Sequence, residues 1–168
     1  MIFTLNFLRT GNNICIFSVG DMMMAKKVVV IGGGAAGMMA AGKAGERGND
    51  VVLLEKNDML GKKILISGKG RCNITNSTDI EGIIQNTPGN GNFLYSTLYT
   101  FSNEDLMEFF RQHGLETKVE RGGRVFPTSD RSQDVIEALK RYMGKNKVNI
   151  RLKSPVEEIV TEKGMVTG

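Results

Sequence analysis

The chain is poor in residues that build cross-links and metal centres: two cysteines, one histidine and three prolines in 168 residues. Cys15 and Cys72 stand far apart, outside any CxxC or metal-ligand spacing, so neither a disulfide framework nor a metal site is expected. Sparse, unpaired cysteine suits a reducing cytoplasm. The single histidine, His113, precedes Gly114 at an expected helix end, where an imidazole meets the helix dipole favourably. That structural role accounts for it without catalysis. No apolar run is long enough to span a bilayer, so no membrane partner is expected, and there is no internal repeat or low-complexity segment.

Glycine is plentiful instead, at 21 residues without a collagen-like period, which assigns it to turns and close backbone approaches. Hydrophobic residues at 40% and charged residues at 24% describe an ordinary globular protein of one domain or a little more. The net charge of +4 comes largely from Lys62, Lys63, Lys69 and Arg71 and from the stretch Lys140 to Lys153. The second stretch reads as solvated surface. Nucleic-acid binding would show a denser basic face and a recognisable module, and neither is present. The first cluster lies among glycines, where attraction to a phosphate is the natural reading.

Residues 1–23 mix apolar residues with Asn6, Arg9, Asn12 and Asn13, and Arg9 interrupts the apolar stretch that a secretory signal needs. They read as an upstream extension outside the fold. Lys27 to Ile31 is a β-branched run suited to a buried parallel strand. A small-residue helix follows from about Ala35 to Arg47, closed by Gly48, and Val51 to Leu54 is a second strand ending at Glu55. The three form a right-handed βαβ unit. Beyond it the sequence predicts a helical turn at Lys62–Ile66, a short helix at Asp79–Gln85 and a turn-rich break at Asn86–Asn92. A helix over Asn103–His113 follows, capped by Ser102 with Asp105. Leu115–Glu120 and Arg124–Phe126 flank Arg121-Gly122-Gly123 as a hairpin. Ser132 is placed to cap a helix running to Met143, with Val135, Ile136, Leu139 and Met143 as its stripe and Gly144 as its end. Val148–Leu152 reads as a strand, and Val156–Thr161 with Met165 onward as a hairpin around Lys163-Gly164. The fold class is therefore α/β: a parallel sheet, flanking helices and a β-meander or hairpin. The chain stops within the last arm, so truncation at the C-terminus is expected, with self-association through unpaired strands.

Gly32-Gly33-Gly34-Ala35-Ala36-Gly37 fits G-x-G-x-x-G between a strand and a helix. Gly32 permits the tight turn, Gly34 lets the backbone approach a pyrophosphate, and Gly37 lets the helix pack on the strand. The helix N-terminus offers free N–H groups to the phosphates. Glu55 lies 55 − 37 = 18 residues past the last glycine, near the roughly 20 expected of an acid that accepts from ribose hydroxyls. Ala40, Ala41 and Ala44 keep the helix surface thin. These features point to a dinucleotide without separating FAD from NAD, and Glu55 disfavours a 2′-phosphate beside it.

The stretch Gly61-Lys62-Lys63-Ile64-Leu65-Ile66-Ser67-Gly68-Lys69-Gly70-Arg71-Cys72-Asn73-Ile74-Thr75-Asn76 combines exposed amides, cationic side chains and neutral hydrogen-bonding groups. Such a loop can close over phosphate, ribitol or the edge of a flavin ring, or it can be polar surface. The stretch resembles the signature of the BaiN/RdsA family of NAD(P)/FAD-dependent oxidoreductases, and Gly123-Arg124-Val125-Phe126-Pro127 with Ser129 resembles a second segment of that family. The likeness covers about residues 26 to 168.

The resemblance implies a glutathione-reductase-like FAD domain, of which residues 24–168 would be the N-terminal part. It implies that Gly32, Gly34 and Gly37 contact the pyrophosphate, with Ala35 and Ala36 also in the cofactor-binding turn, and that Glu55 and Lys56 face the adenosine ribose. Ser67, Gly70, Arg71, Cys72 and Asn73 would line the FAD, and Val156 would meet the adenine through its backbone. The expected parent is an enzyme that passes electrons from NAD(P)H through FAD to a small organic substrate, with this portion inactive alone. The residues also admit an NAD-dependent dehydrogenase or a non-catalytic dinucleotide-binding module. No side chain has a claim to be the catalytic acid or base. Arg71 gives Cys72 a reason for a lowered thiol pKa, but with no partner cysteine a redox role is not the favoured reading.

Overall fold

The computed structural model describes residues 25–167, together with a short antiparallel pairing of Arg9–Thr10 with Asn13–Ile14. The rest of residues 1–24, Cys15 among them, and Gly168 lie outside the described residues. Strand β1 (Lys27–Ile31), helix α1 (Ala35–Glu46) and strand β2 (Asp50–Leu54) form the expected βαβ unit, with β1 and β2 parallel in the register Val29↔Val52. The third strand of this sheet, β6 (Asn149–Arg151), is parallel to β2 on its far side, giving the order β1–β2–β6. Parallel strands need crossovers. The one between β2 and β6 contains all the remaining helices and a second sheet.

In that crossover, α2 (Lys62–Ile66) runs into a tight turn at Ser67–Gly70 whose Gly68 and Lys69 are left-handed. Strand β3 (Thr75–Asn76) then pairs antiparallel with β5 (Arg124–Pro127), which also pairs with β4 (Thr117–Glu120), so the small sheet has the order β3–β5–β4. Asp79 caps α3 (Ile80–Gln85) by accepting from the Gly82 amide. The Ser102–Asp105 capping box starts α5 (Asn103–Gln112), which ends at His113, whose Nδ1 lies 2.7 Å from the Phe109 carbonyl. Between α3 and α5 the chain adds a 3₁₀ turn at Gly91–Leu94 and helix α4 (Tyr95–Thr100). The sequence pattern misses both, because Tyr95, Tyr99 and Phe101 stay partly exposed and leave no one-sided apolar stripe.

Helix α6 (Ser132–Lys145) buries the predicted stripe of Val135, Ile136, Leu139 and Met143. Its termini differ from expectation. Ser132 is the first helical residue rather than the cap, and its hydroxyl donates to the Leu65 carbonyl at 3.1 Å. Gly144 lies within the last turn, and Asn146 ends the helix with its backbone and side-chain amides both bonded to the Tyr142 carbonyl. The thin face of α1 is also made differently. Ala41 is buried, but Ala40 faces outward. The close approach to α6 comes from Gly42, where an added Cβ would overlap the Tyr142 ring, and Gly45, where it would lie 2.5 Å from the Asn146 carbonyl oxygen.

The core joins Met38 and Ala41 of α1, Val51 and Leu53 of β2, and Ile136, Leu139 and Met143 of α6. Strand β1 is not buried on both faces as its sequence suggested. Val28 and Val30 pack on the core, whereas Val29 and Ile31 are each 53% exposed on the opposite face of this edge strand. The predicted strand at Val156–Thr161 is irregular up to Val160; only Thr161–Glu162 (β7) pairs, with Met165–Val166 (β8), in an exposed hairpin. No helix among the described residues is long and apolar enough to cross a membrane.

Candidate functional site

The carboxyl ends of β1 and β2 open onto a cavity of about 820 Å³. That is where open parallel sheets bind ligands, because the strand ends and the following helix N-terminus leave backbone amides unpaired. The glycine turn forms one wall, and each of its glycines has a separate cause. Gly32 sits at φ 98°, a region open to glycine. At Gly33 an added Cβ would overlap Leu60 and lie 3.2 Å from Glu55 Oε2. At Gly37 it would overlap the Gly32 carbonyl oxygen, so this glycine seats the helix against the turn. At Gly34 it would meet nothing within 4 Å: that side of the turn is open cavity. The first helical bond of α1 runs from the Met38 amide to the Gly34 carbonyl at 2.9 Å, so the amides of the first turn await an outside acceptor.

Glu55 is buried at the foot of this wall. Its Oε2 accepts from the Gly33 amide at 2.7 Å, and Oε1 accepts from the Asn57 amide at 2.8 Å and the Asn57 side chain at 2.5 Å. The bond from the Asn57 amide, followed by those from Gly33 and the Asn57 side chain, outweighs burial and holds its pKa below the ordinary carboxylate range. Glu55 therefore braces the glycine turn and still presents an ionised oxygen to the cavity. Sequence spacing pointed to the ribose role alone; the Gly33 bond is a three-dimensional fact with no local signature.

The opposite wall is the loop after α2. Gly61 donates to the Gly33 carbonyl at 2.8 Å, tying α2 to the turn. Ser67, Cys72 and Asn73 line the cavity, joined by Leu106 and Phe110 of α5 and Val135 and Leu139 of α6. These four side chains add apolar surface to a cavity that the glycine turn and Glu55 supply with polar groups. The third wall comes from the segment after β6, which stays bonded to the end of β2: Lys153 and Ser154 donate to the carbonyls of Asn57 and Glu55 at 2.8 and 2.9 Å. This carries Val156 to the cavity, on irregular chain rather than on a strand.

The structure thus brings Gly32, Gly34, Ala35, Glu55, Lys56, Ser67, Cys72, Asn73 and Val156 together around one cavity. Ala36, Gly37, Gly70 and Arg71 are not among its lining. Gly37 is turned into the helix–strand contact. Arg71 points away: its Nε donates to Asp130 at 2.8 Å, its Nη2 to Glu120, and its guanidinium lies 4.1 Å from the centre of the Phe126 ring. It cannot activate Cys72 as the sequence suggested. Burial pushes the Cys72 thiol above its ordinary value, with Ser67 opposing only in part. Lys62 and Lys63 of the basic cluster line the cavity, and so do Gly33, Met39 and Asn57, which the sequence reading missed. Only Gly33 carried a signal, as the second of three consecutive glycines.

Residues 26–167 match the family model described as the HI0933-like protein Rossmann domain. The chain is 38% identical over 118 residues to a 3-dehydro-bile acid delta(4,6)-reductase of Clostridium scindens, a match covering 69% of this chain and 28% of that protein. It is 33% identical over 125 residues to a ribosomal RNA dihydrouridine synthase of Escherichia coli, covering 74% of this chain and 30% of that one. The chain therefore spans about three tenths of these curated relatives. Among solved structures, a flavocytochrome c3 fumarate reductase in its open conformation shares the fold, with a TM-score of 0.60 and 20% identity over 82% of this chain and 28% of that chain.

Proposed function

The chain belongs to the HI0933-like family, the BaiN/RdsA family that its sequence resembles, and from that premise we propose that it is the FAD-binding portion of a flavin-dependent oxidoreductase. The observation that carries the reading is the selective openness of the glycine turn. Gly33 and Gly37 are closed by the protein's own atoms, whereas Gly32 and Gly34 face free space; Gly32 is required by its positive φ, so Gly34, at an ordinary φ and beside unpaired first-turn amides, is the glycine kept for open space at the cavity. A diphosphate fits that gap, since it needs close backbone approach and N–H donors. Glu55 would accept from the adenosine ribose, with Lys56 beside it and the Val156 backbone near the adenine.

FAD is favoured over NAD by the far wall. Besides the glycine turn, the cavity is lined by Ser67, Cys72 and Asn73 and by the apolar Leu106, Phe110, Val135 and Leu139. A flat apolar ring with polar edges suits that combination of apolar and hydrogen-bonding side chains. Bound flavin supplies the electron-transfer chemistry, and the protein contributes placement and exclusion of water. The proposed electron donor is NAD(P)H and the acceptor a small organic molecule. The names of the relatives, a bile-acid reductase and a dihydrouridine synthase, both denote reduction of a carbon–carbon double bond in a ring, and that is the reaction class proposed for the parent.

The test is titration of the protein with FAD, FMN and NAD, read by flavin fluorescence and intrinsic tyrosine emission. FAD is expected to bind most tightly. Binding of NAD with exclusion of FAD would transfer the site to an ordinary dehydrogenase.

A further inference from the structure

The loop that forms the far wall of the cavity has an unfavourable backbone. Gly68, Lys69, Gly70 and Cys72 all have left-handed φ, between 55° and 83°, and two of the four are not glycine. A non-glycine residue there is costly and persists only when its surroundings hold it. Within the loop the Arg71 amide donates to the Gly68 carbonyl at 3.3 Å and the Cys72 amide to the Ser67 carbonyl at 3.0 Å, neither of them a bond from outside the loop.

The holding contacts come from behind. Arg71 reaches out of the loop to Glu120, at the end of β4, and to Asp130, just after β5, while its guanidinium covers Phe126. Lys118 completes a four-charge cluster, at 2.6 Å from Asp130 and 3.6 Å from Glu120. Asp130 is itself left-handed, at φ 57°. The neighbours Cys72 and Asn73 face the cavity, and Arg71 does not.

We propose that Arg71 is a positioning residue: it locks the Ser67–Asn73 loop in its cavity-lining shape by pairing with Glu120 and Asp130, and it does not itself bind the ligand. The ligand part of this rests on the FAD reading above; the locking of the loop does not. A direct anion ligand and a lock make opposite predictions for the two carboxylates. If Arg71 bound a phosphate, neutralising its acidic competitors would leave ligand affinity unchanged or raise it. If Arg71 is a lock, neutralising them weakens binding as removal of Arg71 does.

The experiment uses the full chain carrying Cys15→Ser, so that Cys72 is the only thiol. Alkylation of Cys72 by iodoacetamide without ligand reports the loop, and FAD titration reports the site. Arg71→Met is expected to speed alkylation about tenfold or more and to weaken FAD by a similar factor. Glu120→Gln with Asp130→Asn is expected to move both readouts in the same direction. Arg71→Lys, which keeps the charge but not the fork, should fall between. Circular dichroism identifies any variant that has unfolded, and the conservative Arg71→Lys and Glu120→Gln changes then decide. The lock is overturned if the carboxylate variants leave Cys72 protected, or if they leave FAD affinity intact while Arg71→Met abolishes it. Failure of the unmutated chain to bind FAD would remove the ligand reading only. Alkylation would still decide whether Arg71 holds the loop.

Discussion

The two loops that face each other across the cavity are held in place by different means. The Gly32–Gly37 turn is shaped by its own backbone: a positive φ at Gly32, a carbonyl packed where Gly37 has no Cβ, and one buried carboxylate from the end of the next strand. The Ser67–Asn73 loop has a strained backbone and is held by Arg71 bonding to residues 49 and 59 positions later in the chain. The first is rigid because alternatives are sterically excluded. The second is rigid because charges far apart in sequence meet. The first should therefore respond to volume, and the second to charge.

The comparison is tested most severely within the glycine turn. Gly37→Val drives a branched side chain into the Gly32 carbonyl, which is backbone and cannot swing aside. Overpacking of this kind costs about 3 kcal/mol, a fall in Tm on the order of 10 °C for a chain of this size. Gly34→Val adds the same atoms facing open cavity, at a φ of −79° that any residue adopts. Thermal stability should be unchanged. FAD affinity should fall at least about a hundredfold, the equivalent of two charge-assisted bonds at about 1.5 kcal/mol each. Differential scanning calorimetry and flavin titration on the two variants make the check. Equal loss of stability in both would mean that Gly34 is a structural glycine and the cradle is misassigned.

Legibility from sequence followed the same division. The βαβ unit, the tight turn at Gly32, the close packing at Gly37 and the stripe of α6 were readable because each depends on near neighbours and a fixed period. The direction of Arg71 was not readable. Composition placed a cation among glycines and pointed to phosphate, whereas its partners lie on a sheet that forms only in three dimensions. Ser132 failed for a related reason: its hydroxyl has the chemistry of a cap but is bonded to Leu65 on another helix. Helix α4 was hidden by aromatic residues that remain partly exposed. Val156–Thr161 read as a strand from its apolar content, but Val156 is positioned by the backbone bonds that hold Lys153 and Ser154 to the end of β2.

Glu55 belongs to both halves of the comparison, being a charge that fixes the steric turn. Glu55→Gln removes the ionised acceptor from the Gly33 amide and turns one oxygen into a donor. Bonds to a charged acceptor contribute about 1.5–3 kcal/mol each. Stability should fall by about that much, and FAD affinity by about tenfold, measured by urea denaturation and flavin titration. A loss of affinity with unchanged stability would assign Glu55 to the ribose alone.

The smallest expected effect concerns acid. Arg71 holds the Glu120 carboxyl below its ordinary value, chiefly through their hydrogen bond, and Lys118 followed by Arg71 does the same for Asp130. Depressed carboxylate values mean that the folded loop prefers the ionised forms. The contribution is therefore fully present above the ordinary values of about 4.3 and 3.9, and it is lost as pH falls through the lowered ones. Between pH 7 and 5 the Arg71 cluster should contribute no change in FAD affinity. Below about pH 4 affinity should decline severalfold as the loop is released. Glu55 titrates in the same direction, so the measurement compares the unmutated chain with Glu120→Gln/Asp130→Asn, in which Glu55 is intact. The double variant should bind more weakly at pH 7 and show a shallower loss in acid. Glu120 and Asp130 are partly exposed and pair with cations, whereas Glu55 is buried and bonded to neutral amides, so added salt should reduce the Glu120 and Asp130 share and leave the Glu55 share in place. Identical acid profiles for the two proteins would mean that the cluster does not act on the site, and the two loops would then differ in sequence but not in physics.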